Sequence, residues 1–540
     1  MIAVTPASLW LLAMLLVPLA VLAFAIARPG GFAVALVVVA PVPGLVAAVL
    51  ALAGEPMAAI FPVLRLSLEL DRPGAVLLGA ASLLWSLAGL VLPSFLAGDR
   101  HARRFVVCWL LTMLGSLGVF AAADLIGFYL VYALVSLPAY GLVAHEETSA
   151  SARAGGVYLA FALLGEALLL MGFVMLAAGE PAGSLRIADV MAALPRSPWA
   201  GTAVALAAAG FALKMGLVPA HGWMPLAYAA TPIPGAAVLS GAAVKAGVIG
   251  LIRFLPFDLA GGGEVLVVFG LCSAFYGVAV GLTQHNPKTV LAYSSISQMG
   301  VLATVLGMGL AAGDAGVRLD AAFYGAHHVL AKGALFVAVG VALSSTAGRS
   351  MSFLLLTAIV GLGLGGLPFT GGALAKLAVK DPLGKGLVGT LAVASSVGTS
   401  LLMTHFVWTI SKVVGTSADR RVARRLWVAA ATAAIVLPWL LAVILGGDLA
   451  TLLQPGILFS AAWPVALGVV LWLGLVRVRA RLPAVPPGDI VGAMEAAFRA
   501  SYGIGDGVAW LDGRLRQWAV AGVALLAVTV ALLVALMRPL

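Results

Sequence analysis

Runs of apolar residues, each closed by a short stretch of charge, glycine or proline, follow one another along almost the whole of the 540-residue chain. Crossing the hydrocarbon of a bilayer takes about 20 apolar residues in helical form, because every backbone N–H and C=O must find its partner within the segment. On that rule the pattern predicts spans near residues 8–27, 31–53, 74–97, 104–122, 125–144, 154–178, 199–228, 233–252, 264–284, 288–309, 321–346, 352–379, 386–411, 426–447, 458–476 and 518–537. The fold class that follows is an all-α polytopic membrane protein of about 14–16 transmembrane helices. Two segments depart from the pattern. From Val63 onward the stretch 59–71 alternates apolar and polar residues, the period-2 signature of a short β-hairpin. Residues 487–517 set Met494, Phe498, Trp510 and Leu511 among charges, as an amphipathic helix lying on the membrane, or a structured loop, would do.

Composition sharpens this reading. Apolar residues make up 63% of the chain and charged residues 10%, whereas a soluble domain is about half apolar and a quarter charged. There are too few polar residues to coat a soluble body of this length, so lipid is the solvent for most of the surface. No polar linker marks a second domain, and residues 1–540 read as one membrane domain.

The net charge of +10 does not point to nucleic acid, because the basic residues sit in short loops. Every second loop is rich in them: Arg28; Arg100, Arg103 and Arg104; Arg153; Lys288; Arg349; Lys412, Arg420, Arg421, Arg424 and Arg425; then Arg477, Arg479, Arg481, Arg499, Arg514 and Arg516. Retention of such loops in the cytoplasm puts both termini on the outer side of a bacterial inner membrane, with the hairpin outside and the 487–517 segment on the cytoplasmic surface. Cys108 and Cys272 lie inside apolar runs without CxxC spacing, so no disulfide framework, zinc site or iron–sulfur cluster is expected, and no other cofactor. The first apolar run has no basic residue before it and no small-residue cleavage signal after it, and reads as a retained helix.

Candidate chemistry lies in the ionisable residues that the loops do not account for. Glu166, Lys214, Lys245, Lys332 and Lys376 fall deep inside predicted spans, and His327 and His328 precede Lys332 in the segment HHVLAK. A charge at the bilayer centre costs at least about 2.5–3.5 kcal/mol, so such residues face the bundle interior or a water-filled cavity. Lysine suits proton transfer there, since burial destabilises its charged form and a neighbouring charge can then switch its state. Histidine titrates near neutrality and can relay between amines. His328 and Lys332 stand four apart, on one helix face. Each residue also has a plainer explanation. A lysine near a helix end snorkels to the interface, which fits Lys376, close to Lys380 and Asp381, better than the mid-span Lys214 and Lys245. For His328 the rival to a relay role is a structural histidine bonded to a carbonyl.

The backbone around two of the lysines adds a second signal. Lys214 is followed by Gly216, Pro219 and HGWMP, and Lys376 is preceded by Gly365, Gly366, Pro368, Gly371 and Gly372. Apolar segments interrupted in this way, about 150 residues apart, are the pattern of broken helices in an internal repeat, which turn backbone dipoles toward an ion site. The breaks are expected at Pro219 and at Gly366 and Pro368. Gly361, Gly363 and Gly366 match GxGxxG, but no strand precedes them, and the dinucleotide reading fails.

Four ordered motifs carry a family resemblance: LKMGLVPAHGWMPLAYAATPIPGAAVLSGAAVKAG from Leu213, HNPKTVLAYSSISQMG at 285–300, HHVLAKGALF at 327–336 and GLPFTGGALAK at 366–376. The stretch from about residue 65 to about 415 resembles the antiporter-like subunits shared by respiratory complex I, Mrp-type cation/proton antiporters and membrane-bound hydrogenases. The resemblance implies two inverted five-helix repeats, each with a broken helix, over 104–255 and 260–415, flanked by N-terminal helices in 1–103 and C-terminal helices in 416–540. It makes Lys214 the broken-helix lysine of the first repeat and Lys245 its relay partner, with His328 and Lys332 leading to Lys376 on the second broken helix. It also implies partner membrane subunits. One departure stands out: the family's glutamate follows an aromatic residue in the fifth helix, and here Tyr132 is followed by Ala133. Glu166, in the next helix, substitutes for it if it faces Lys214. Asn286 stands where the family commonly has aspartate.

Three functions remain open at this level. The first is a proton-translocating subunit of a larger complex, with no catalytic site of its own and driven by its partners. The others are a stand-alone secondary transporter whose lysines bind an anionic substrate, and a scaffold whose channel is partly lost. The lysines and the absence of paired carboxylates within the spans favour protons over sodium, which prefers oxygen ligands.

Overall fold

A computed structural model of the chain describes residues 6–497 apart from 29–30, 62–65, 260, 345–349, 414, 416–420, 449, 451–452 and 478–482. Met1–Pro487 forms one compact unit and Gly488–Leu540 another, in which 489–497 is helical. The rest of the 487–517 segment, the predicted span 518–537, and Arg349, Arg420, Arg479, Arg481, Arg499, Arg514 and Arg516 lie outside the described residues.

Among the described residues, eleven helices are long and apolar enough to cross a membrane. The chain opens with α1 (Leu9–Ala27), followed by α2 (Gly31–Leu36) and α3 (Val42–Leu52). One span was expected over 31–53. The turn at 37–41 that divides it ends on Pro41, with Pro43 just beyond, and proline cannot donate the backbone hydrogen bond that would carry a helix through. The predicted hairpin follows as β1 (Ala58–Phe61) paired antiparallel with β2 (Leu66–Glu69), Ala58 opposite Glu69. Next come α4 (Arg72–Gly89), capped by Asp71, which accepts from Gly74 N at 2.9 Å, and α5 (Leu92–Phe95).

The next five passes are α6 (Ala102–Gly118), α7 (Leu125–Ser136) continued by α8 (Ala139–Val143), α9 (Ser149–Ala178), a broken helix and a kinked one. After the short α10 (Ile187–Ala193), the broken helix consists of α11 (Ala200–Met215) and α12 (Trp223–Ala230). The kinked one is α13 (Ile233–Val238), a π-helical turn at Leu239–Ala243, and α14 (Lys245–Phe254). The order then repeats with α15 (Gly263–Gly281), α16 (Pro287–Ala312), α17 (Val317–Ser344), a second broken helix of α18 (Met351–Gly365) and α19 (Gly371–Ala378), the short α20 (Lys380–Leu383) and α21 (Leu387–Ser411). Five is odd, so the second set begins at the opposite membrane face and the repeat is inverted. Two further helices, α22 (Arg421–Ile444) and α23 (Pro455–Leu475), complete the larger unit.

Capping fixes where several passes begin. Asp124 accepts from Gly127 N at 2.7 Å and from Ser67 N at 2.6 Å, tying the start of α7 to the hairpin. Thr148 and Ser151 form a reciprocal box at the start of α9. Just before it, Arg104 at the foot of α6 donates to Glu147 at 2.6 Å and holds that carboxyl below the usual carboxylate range. The middle of the unit is formed by α13–α14, α16 and α17, which are buried almost throughout, whereas α1, α9 and α23 turn leucine, valine and phenylalanine outward as lipid-facing helices do.

Candidate functional site

At the first break, α11 ends on Gly216, whose φ of +69° is a left-handed conformation that glycine adopts at little cost. Residues 216–222, Pro219 among them, lead into α12. Lys214 stands in the last turn of α11, where the negative end of the helix dipole favours an ammonium. Its Nζ donates to Ser136 Oγ at 2.9 Å and reaches Tyr158 OH at 3.4 Å. It also lies 5.8 and 5.7 Å from the ring centroids of Tyr132 and Tyr158, within cation–π range.

Glu166 is buried on α9, which packs along α11. Its carboxylate interacts electrostatically with Lys214 and with the Ser136 hydroxyl, and its Oε1 has no hydrogen-bond partner. Ser136 Oγ thus accepts from the ammonium, donates to the Tyr132 carbonyl at 3.2 Å and also interacts with the carboxylate. Ala133 lies one turn before Ser136 on α7 and is half-buried. A void of ≈10 Å³ lined by Tyr132, Ser136, Tyr158 and Lys214 is about the size that holds one water.

The central group forms at the π-helical turn, a local widening of the helix often found at functional positions. Lys245 is the first residue of α14, and its Nζ lies 2.8 Å from His328 Nδ1 on α17. One turn further along α17, Lys332 Nζ donates to the Leu291 carbonyl at 2.8 Å. The same carbonyl accepts from Ser295 Oγ at 3.1 Å, and that hydroxyl meets Ser240 Oγ of the π-helical turn at 3.1 Å. Lys245, His328 and Lys332 are all 0% exposed and interact electrostatically with one another. An amine and an imidazole that share one hydrogen bond present one proton and one lone pair between them. The contact thus holds a vacant proton site beside an occupied one. His328 Nε2 has no hydrogen-bond partner.

At the second break, Gly366 (φ +103°) ends α18, and residues 366–370, including Pro368 and the positive-φ Phe369, lead to α19. A Cβ on Gly372 would lie 1.5 Å from the Gly363 carbonyl oxygen, and Cβ atoms on Gly371 and Gly372 would come within 3.0 and 3.1 Å of the His327 ring nitrogens. The two glycines therefore let the second half-helix close onto both α18 and the imidazole. Neither ring nitrogen of His327 has a hydrogen-bond partner. Lys376 occupies the last turn of α19, is half-buried, and interacts electrostatically with His327. Its Nζ lies 5.6 Å from the Tyr324 ring centroid. Tyr324 OH donates to Gln298 Oε1 at 2.6 Å, and Gln298 Nε2 to Thr399 Oγ1 at 3.0 Å.

The seven ionisable residues picked out in the sequence thus fall into three groups: Glu166 with Lys214, Lys245 with His328 and Lys332, and His327 with Lys376. Among the described residues no hydrogen bond joins Lys214 to Lys245. Their helices do touch, for a Cβ on Gly247 would lie 3.4 Å from Lys214 Cβ. Tyr158, Trp223 and Tyr228 stand beside this gap in edge-to-face series at 5.4 and 6.1 Å. Ser136, Tyr158, Ser240, Tyr324 and Gln298 were not anticipated, and their only signal is polarity inside apolar runs. Asn286 caps α16 by accepting from Lys288 N at 2.9 Å, a task aspartate performs equally well.

Comparison with known proteins agrees with this architecture. The family profile described as NADH:quinone oxidoreductase/Mrp antiporter, TM, matches residues 122–402, more than half of the chain. NADH-quinone oxidoreductase subunit N of Desulforudis audaxviator is 32% identical over 53% of this chain and 57% of its own length. Hydrogenase-4 component B of Escherichia coli is 31% identical over 40% of this chain and 34% of its own. A probable K(+)/H(+) antiporter subunit of Rhizobium meliloti is 32% identical over 46% and 25%. The chain thus spans about half or less of the length of the curated relatives it matches.

Two solved assemblies contain chains of the same fold. One is the membrane-bound sulfane sulfur reductase, an archaeal respiratory membrane complex (TM-score 0.70, 21% identity, covering 97% of this chain and 100% of that one). The other is the Mrp complex from a Dietzia species (TM-score 0.67, 22% identity, covering 86% and 100%). With more than half of its residues matched by the family profile and with two broken helices in an inverted repeat, this chain belongs to the NADH:quinone oxidoreductase/Mrp antiporter transmembrane family.

Proposed function

We propose that this chain is a proton-translocating, antiporter-like subunit of a multi-subunit complex in a bacterial inner membrane. Protons enter from the cytoplasmic side, pass through water along Lys245, Lys214 and the His328–Lys332–Lys376 row, and leave on the outer side. Both termini lie outside in this arrangement. The observation that carries the reading is the 2.8 Å contact between Lys245 and His328, fully buried and one helical turn from Lys332. Three fully buried basic groups cannot all be charged at once without a cost of several kcal/mol per ion, so a proton on one disfavours a proton on the next and can be passed along. At the first break, Glu166 acts as counter-charge to Lys214 through Ser136, in place of the glutamate missing at Ala133. A change in that pair alters the field at Lys245, which passes the signal on. The chain carries no redox motif, so partner subunits supply the energy.

The test is proton translocation by the assembled complex in vesicles, with wild-type chain and with Lys332→Ala. The reading expects a loss of at least about tenfold in flux, equivalent to ~1.4 kcal/mol on the barrier. Unchanged pumping with normal assembly would make the chain a scaffold, a second reading that rests on Ala133 and on the lack of a direct Lys214–Glu166 contact. Transport by the purified chain alone would make it an independent transporter.

A further inference from the structure

Beside the second break a cleft of ≈430 Å³ opens between α19, α20, α21, α22 and α23. Its walls divide by chemistry. Lys376 lies at its inner end, while Lys380 and Lys385, both exposed, are at its mouth; among the described residues no carboxylate lines it, although exposed Asp381 adjoins Lys380 on α20. Phe369, Trp439 and Trp463 form much of the opposite, apolar side. Trp439 is held in place by donating Nε1–H to the Phe369 carbonyl at 3.3 Å, and Phe369 and Trp463 are 61% and 42% exposed. The mouth is at one end of the bundle, at the 384–386 turn between α20 and α21. A surface ammonium can take a lipid phosphate, and apolar aromatic side chains deeper along the same cleft can take the acyl chain below it.

We propose that this cleft binds one anionic phospholipid, its phosphate between Lys380 and Lys385 and one acyl chain against Phe369, Trp439 and Trp463. Two features argue for a lipid over a soluble anion. Among the described residues, the lining side chains Phe369, Val393 and Trp463 are exposed on the same flank as the outward-facing Phe459 and Leu467 of α23, so a chain can enter laterally from the bilayer. The volume takes a glycerophosphate head and the upper part of one chain, leaving the rest in the membrane. A phosphate there also stands near Lys376 and favours its charged form, so the lipid composition of the membrane acts on the second broken helix. Binding itself is independent of whether Lys376 moves protons.

The test is native mass spectrometry of the full-length chain in neutral detergent, titrated with phosphatidylglycerol or phosphatidylcholine. Phosphatidylglycerol is expected to bind at least tenfold more tightly, the Lys380→Gln/Lys385→Gln variant to lose the preference, and Lys412→Gln, a control lysine on another loop, to keep it. Ala461→Phe, which fills the cleft while keeping all three lysines, is expected to lose binding as well and guards against misfolding of the double variant. Equal retention of the two lipids, or a preference that survives both cleft variants, would overturn the proposal. So would full displacement of phosphatidylglycerol by millimolar inorganic phosphate, which would identify the site as one for a free anion.

Discussion

The two broken helices answer the same problem in opposite ways. Each carries a lysine in the last turn of a half-helix, where the helix dipole favours an ammonium. At the first break the lysine precedes the gap and is sealed among Tyr132, Ser136 and Tyr158, with a carboxylate near by and a void of ≈10 Å³. At the second break the lysine follows the gap, has a histidine as its ionisable neighbour, and opens on a cleft of ≈430 Å³. The first site encloses its amine, whereas the second opens its amine to a larger polar and aromatic space. An inverted repeat thus need not give two equivalent lysine sites.

The second gap has the least tolerance for change. Its geometry depends on Gly372, where a Cβ would lie 1.5 Å from the Gly363 backbone oxygen. A backbone atom cannot rotate away as a side chain can, so Gly372→Ala is expected to cost about 3 kcal/mol, the upper end of ordinary overpacking, or more. The chain should then fail to assemble, as seen by its yield in the purified complex. Gly156→Ala, where nothing lies within 4 Å of the new Cβ, should assemble normally. Normal assembly of Gly372→Ala would mean that the two half-helices do not approach each other as described.

The first gap is sharpened by moving its carboxylate. Glu166→Gln removes the negative charge while keeping the shape, and a fall of about tenfold in proton flux is expected, or ~1.4 kcal/mol. Ala133→Glu in that background restores the family's arrangement one turn from Ser136 and should recover most of the loss. If Glu166→Gln pumps at the wild-type rate, the first site has no counter-charge and its lysine plays no part in transport.

How much of this was legible in the sequence follows from the range of each interaction. The hairpin at 58–69 showed as a period-2 alternation, and the breaks showed as glycine and proline near Lys214 and Lys376, because these signals are local. The π-helical turn at Leu239–Ala243 left no trace, since LSGAA suits an α-helix equally well. Nor did the sequence separate Lys214 from the Lys245 group, because that gap depends on how α11 meets α14. Glu166 was picked out for its charge alone. The serine beside it, Ser136, is 78 residues from Lys214 in the chain, and a serine in an apolar helix gives no more sign of such a contact than the bond to its own preceding turn, which Ser136 also makes to the Tyr132 carbonyl.

Ser136 is therefore the residue that separates a positioned lysine from a merely buried one. Its hydroxyl accepts from Lys214 at 2.9 Å, it interacts with Glu166, and its own carbonyl accepts from Tyr158 OH at 2.9 Å. Ser136→Ala keeps that carbonyl and removes only the shared hydroxyl. The neighbouring void and the Tyr158 hydroxyl can take over part of its role, so a loss of about fivefold in flux, ~1 kcal/mol, is expected, near the net worth of one hydrogen bond. Ser136→Thr, which retains the hydroxyl, should stand close to wild type. A structural defect would instead lower the amount of assembled complex, leave the flux per complex unchanged, and give threonine no advantage over alanine. Glu166→Gln and Ser136→Ala also share one interaction, so together they should cost clearly less than the sum of the two single losses. Strictly additive losses would mean that the hydroxyl and the carboxylate act on Lys214 separately, and the first break would then lack the bridged pair that distinguishes it from the second.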